Sequence, residues 1–178
     1  TIDIGGYTLA GSGVGRNGIT SFNRATRIRD GVVRGFTNDG VRTVGQFLSI
    51  DDTIITANGR HGVYAQMSDT FYGSENVSHA SISRSKVVGN SSAGIVCGRK
   101  CLVEGSVVSS NGTTGISFSD YGGMAFGNAV IDNGGWGIYF NFVGGAGNNT
   151  ALGNVSGQIH GAIHMQPNAC SPACPPPP

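Results

Sequence analysis

The chain has 178 residues, 31 of them glycine, with 38% hydrophobic and 12% charged residues and a formal net charge of +1. This composition fits one soluble globular domain and excludes a disordered chain, and no run of 18 or more apolar residues is present to cross a membrane as a helix. Glycine far above its usual share of about 7%, without a Gly-X-Y period, predicts many tight turns at positive φ and therefore many short strands.

Residues 1–9 (TIDIGGYTL) read as strand and turn, so the chain is expected to begin inside a structural repeat with no cap over its first edge. Gly13-x-Gly15-x-x-Gly18 matches a dinucleotide fingerprint in spacing, but residues 19–29 have no helical period and the segment is expected to be a turn. At Gly18-Ile19 a repeat begins. A glycine followed by Ile or Val recurs at Gly40-Val41, Gly62-Val63, Gly94-Ile95, Gly115-Ile116 and Gly137-Ile138, in steps of 22, 22, 32, 21 and 22.

Two more apolar columns keep these steps: Ile28, Ile50, Ile82, Val103, Ala125, Ala146 and Val33, Ile55, Val87, Val108, Val130, Ala151. A polar column, Asn58, Asn90, Asn111, Asn133 and Asn154, follows three residues after the last, with Phe36 at its first-coil position. Asn tolerates the left-handed turn conformation and stacks as a hydrogen-bonded ladder, so this column is expected to be a corner. Three apolar columns per coil predict three short strands, each pairing in parallel with its equivalent one coil on. The expected fold is all-β, a three-sided solenoid of about seven coils of about 22 residues spanning 1–165, with a Cys/Pro-rich tail at 166–178. These columns resemble the right-handed parallel β-helix family, with its pectate-lyase-like coils and stacked Asn corners. The resemblance implies a fold and no particular activity, because that fold hosts lyases, hydrolases, adhesins and tail spikes.

Along this repeat the candidate chemistry is sparse. Asp39 and His61 stand 22 residues apart, so they are expected side by side on adjacent coils, where a carboxylate raises an imidazole's pKa and orients it for acid–base work. Asn38-Asp39-Gly40, Asp51-Asp52, Arg60-His61-Gly62 and Arg27-Ile28-Arg29 superficially resemble polygalacturonase motifs, but Asp39 and Asp51 differ by half a coil and belong to different faces. Arg29 and Asp51, 22 apart, are expected to pair across coils. The one long step of 32 places about ten extra residues at Ser68 to His79, a loop carrying Asp69, Phe71, Tyr72 and Glu75 that is suited to stack and hydrogen-bond a sugar.

Outward positions of the Gly-Ile strands read Arg42, Tyr64, Val96, Ser117 and Tyr139, without one chemical theme, while Phe118 and Phe140 point inward. Cys97/Cys101 and Cys170/Cys174 are expected to form two local disulfides, which favours a secreted protein. Neither a metal nor a cofactor is expected, His160 and His164 included. All 11 Lys and Arg lie in residues 1–100 with 7 acids, while residues 101–178 hold only 3 acids, so the two ends of a coil stack carry opposite charge. Nucleic acid is not an expected partner. The sequence favours a structural or adhesive solenoid, associating end to end into an extracellular filament, over a carbohydrate-active protein that binds or cleaves a polysaccharide through the 68–79 loop.

Overall fold

The computed structural model describes residues 1–13, 16–22, 25–66, 79–171 and 174, and they form 19 strands with no helix among them. The first coil holds β1 (Ile2–Asp3), β2 (Thr8–Ala10) and β3 (Ile19–Ser21). The second holds β4 (Ala25–Arg34) and β5 (Val41–Thr43), and the third β6 (Phe47–Thr56) and β7 (Val63–Ala65), where β4 and β6 each run through a corner. Coil four has β8 (His79–Ser83), β9 (Lys86–Val88) and β10 (Ile95–Cys97), and coil five β11 (Cys101–Glu104), β12 (Val107–Ser109) and β13 (Ile116–Phe118). The rest follow as β14 (Met124–Phe126), β15 (Ala129–Ile131), β16 (Trp136–Gly147), β17 (Thr150–Leu152), β18 (Gly157–His164) and β19 (Ala169–Ser171).

Every pairing is parallel, and the registers are those of the sequence columns. Ile28, Ile50, Ile82, Val103 and Ala125 align on the first sheet, and Val33, Ile55, Val87, Val108 and Val130 on the second. Ile19, Val41, Val63, Ile95, Ile116, Ile138 and Ile159 align on the third. All of these side chains are buried, and together they make one continuous core. Phe118 and Phe140 stack inside it at 4.5 Å. The stack continues past residue 165, because β19 pairs with β17 within the segment expected as a tail.

Two corners are fixed in conformation and length. Asp30, Asp52, Arg84, Gly105, Gly127 and Asn148 turn from the first sheet to the second at positive φ. Gly35, Ala57, Gly89, Ser110, Asp132 and Gly153 do the same after the second sheet. Contrary to the expectation from sequence, the Asn of the ladder is not the left-handed residue; it follows that residue and is buried. Asn58, Asn90, Asn111 and Asn133 each donate Nδ2–H to the Oδ1 of the next Asn at 2.9–3.0 Å, and Asn154 ends the run on Gln158 Oε1 at 2.8 Å. At the other end the Phe36 N–H donates to Asn58 Oδ1. A second ladder, not foreseen, occupies the other corner: Asn128 donates to Asn149 and Asn149 to Asn168, continuing a line begun by Ser85 and Ser106.

The repeated glycines also have a different cause from the one composition suggests. Gly40, Gly62, Gly94 and Gly115 are not at positive φ. A Cβ on Gly94 would lie 2.6 Å from Val108 Cγ1 and 2.7 Å from both Asn111 Nδ2 and the Gly115 carbonyl, so the next coil's Val and Asn occupy that space.

The third corner, from the third sheet back to the first, varies in length, and the segment between β7 and β8 is the long one. Disulfides join Cys97 to Cys101 across this corner and Cys170 to Cys174 at the C-terminal end.

Candidate functional site

Strand alternation turns one residue of each third-sheet strand outward, and parallel register lines these residues up along the axis. The row reads Arg42, Tyr64, Val96, Ser117, Tyr139 and His160. Its two ends are chemically organised. At one end the Arg42 guanidinium lies 4.6 Å from the centre of the Tyr64 ring, and His61 stacks on the same tyrosine at 5.4 Å. The Tyr64 hydroxyl donates to Gln66 Oε1 at 3.0 Å. At the other end Tyr139 and His160 stack at 5.1 Å and 7°, with Trp136 at 4.9 Å from the same imidazole. The row that reads as a mixed face in sequence is thus bracketed by two aromatic clusters.

Asp39 and His61 do sit on adjacent coils, but not as an acid–base pair. Asp39 is fully buried; its Oδ1 accepts the backbone N–H of His61 at 3.2 Å and its Oδ2 the Arg42 Nη1 at 3.0 Å. The imidazole Nδ1 instead accepts the Ala93 N–H at 3.2 Å. Burial pushes the His61 pKa down, against the upward pull of Asp39, the reverse of the sequence expectation. A neutral imidazole that accepts at Nδ1 carries its proton on Nε2, so His61 presents a donor and not a base.

The other expected positions separate. Asp51 lies on the first sheet, where hydrogen bonding from Ser83, with Arg84 and Arg27 close by, holds its pKa down against partial burial. Arg29 and Asp51 are register partners, yet Arg29 pairs with Asp3 at 2.7 Å, one coil in the other direction. Asp69, Phe71, Tyr72 and Glu75 lie outside the described residues. His79, which closes that loop, begins β8 and stacks on Phe47 at 5.0 Å. His164 Nδ1 meets Asn168 Nδ2 at 2.9 Å, at the end of the second ladder. Among the described residues no three His, Cys, Asp or Glu side chains cluster so as to hold a metal.

No protein-family model matches the chain, and no curated protein does. Among solved structures it is similar to the A-module of the Azotobacter vinelandii mannuronan C-5 epimerase, at 14% identity and a TM-score of 0.61 over 90% of this chain. The chain is a parallel β-helix. It spans 55% of the length of that module, and at this identity the likeness is one of fold. The β-helix places its two aromatic clusters, Arg42 included, on the same side of the rod because every third-sheet strand is in register.

Proposed function

We propose that this β-helix binds an acidic polysaccharide along the third sheet. The supporting observation is the register-aligned row, with the Arg42–Tyr64–His61 cluster at one end and Trp136–Tyr139–His160 at the other. Successive coils are about 4.8 Å apart, close to the length of one pyranose unit in a 1,4-linked chain, so each coil can address one sugar. Aromatic faces suit the apolar faces of pyranose rings, and the surplus of cations in the N-terminal coils suits a uronate. The fold's occurrence in a carbohydrate-active module supports the reading, and two disulfides support a secreted setting. Calorimetry and product analysis with a panel of polyuronates and their neutral counterparts test it. Binding of a polyuronate that Tyr139→Ala and Tyr64→Ala each weaken is expected, with unsaturated products or new reducing ends as the sign of turnover; no binding by any polyuronate overturns it.

End-to-end association is a second reading, motivated by the uneven charge along the chain, with 11 Lys and Arg against 7 acids in residues 1–100 and only 3 acids in residues 101–178. Light scattering at high protein and low salt is expected to show growth that added salt reverses; a constant monomer mass sinks it.

A further inference from the structure

The first sheet carries an open groove of about 490 Å³ that shares no residue with the third-sheet row. Its working side chains are Ala25, Arg27, Phe47, Ser49, His79 and Lys100. Register explains their placement. Ala25, Phe47 and His79 are equivalents on three successive coils, and Arg27, Ser49 and Ser81 form the next outward row. Thr26, Leu48 and Ala80 between the two rows point into the core.

The outer row has a step in it. Phe47 stacks on His79 at 5.0 Å with the rings within 13° of parallel, while its register partner one coil earlier is only Ala25. The small Ala25 side chain therefore leaves the face of Phe47 opposite His79 uncovered by its register partner, and Phe47 is 48% exposed. Arg27, two residues further along the same strand, faces the same side. It spends one N–H on Asp51 at 3.3 Å, and a guanidinium has five. Lys100, exposed in the groove and without an ion pair among the described residues, adds positive potential.

We propose that this groove is a binding site for a small aromatic carboxylate, its ring stacked on Phe47 over Ala25 and its carboxylate held by Arg27. The ring extends the Phe47–His79 stack by one member, and the carboxylate takes the guanidinium N–H groups that Asp51 leaves unused. Ser49 and Ser81 line the floor of the next row.

Titration of the labelled full chain, followed by NMR, tests this with benzoate, its uncharged analogue benzamide, and cyclohexanecarboxylate, which keeps the charge and loses the flat ring. Benzoate is expected to give saturable shifts at Phe47 and His79. Benzamide and cyclohexanecarboxylate each bind more weakly, benzamide by roughly tenfold or more, as expected for one charge-assisted hydrogen bond. Arg27→Gln is expected to abolish the preference for benzoate over benzamide, Phe47→Ala to remove binding of both, and Tyr139→Ala on the third sheet to change neither. Both groove side chains are exposed, so these variants keep the core intact. Absence of saturable shifts, equal affinity for benzoate and benzamide, or shifts confined to the third sheet would overturn the proposal. None of these outcomes bears on polyuronate binding, which is read at other residues.

Discussion

The buried carboxylate of Asp39 accepts hydrogen bonds from the backbone of His61 and the side chain of Arg42, while the His61 imidazole takes its hydrogen bond from Ala93. Its work is to fix a corner and aim a cation. Asp39→Ala strands the His61 N–H and the partly buried Arg42 charge, and should cost about 2–4 kcal/mol. Thermal unfolding checks this, since in a domain of this size each kcal/mol lowers Tm by about 2–4 °C. Asp39→Asn keeps an acceptor and should lose less.

His61 should give stability a pH dependence of defined sign. Burial lowers its folded pKa below the ordinary 6.5, so the unfolded chain binds the proton first as pH falls. The contribution is complete above 6.5 and is lost as pH drops through the folded pKa. Urea midpoints measured at a series of pH values should fall on the acid side of 6.5, and this part of the slope should vanish in His61→Gln. An unchanged slope in that variant would show that another group titrates.

The Asn ladder predicts a gradient of cost along one column. Asn111 accepts from both the backbone and the side chain of Asn90 and donates to Val87 O and Asn133 Oδ1. Asn58, at the end of the run, accepts only from the Phe36 N–H among the contacts of its oxygen. Asn111→Ala should therefore destabilise by about 3 kcal/mol or more, and Asn58→Ala by less. Equilibrium unfolding of the two variants side by side decides it. Asn90-Ser91-Ser92, Asn111-Gly112-Thr113 and Asn154-Val155-Ser156 match the glycosylation sequon, and burial of these Asn side chains closes them to a glycan.

Gly94→Ala is the test of the close-packed glycine column. The added methyl meets the Gly115 carbonyl and the branched Val108, neither of which has a flexible end to give way. A loss of about 2–3 kcal/mol is expected by overpacking. Retained stability would mean that the coils can separate locally at this corner.

The fold was legible because glycine, apolar and Asn columns repeat together and a parallel coil must repeat all its inward positions at once. The second ladder is not legible from a single residue type, because its column changes from Ser85 and Ser106 to Asn128, Asn149 and Asn168. Side-chain partnerships were less readable than register. Position 29 lies beside position 51, but the long Arg29 side chain reaches Asp3 while Arg27, Ser83 and Arg84 take Asp51. The aromatic clusters of the third sheet needed ring orientation as well as spacing. Spacing puts His61 on the coil beside Asp39, but the backbone donor that captures its Nδ1 belongs to a residue 32 positions away and is not legible from that spacing.

The two corners that carry a left-handed residue act as length gauges. Between the second and third sheets the connection runs 89–94 in one coil and 110–115 in the next, whereas the return to the first sheet is 98–100, 119–123 or 66–78. A residue inserted at a gauged corner would throw three columns and a ladder out of alignment together, because side chains change face with every residue. New sequence can therefore enter this molecule in two ways only: as a whole coil, or at the seam between the third and first sheets. That seam borders both the third-sheet row and the first-sheet groove, so the place where the fold tolerates new length is also where the two proposed surfaces meet.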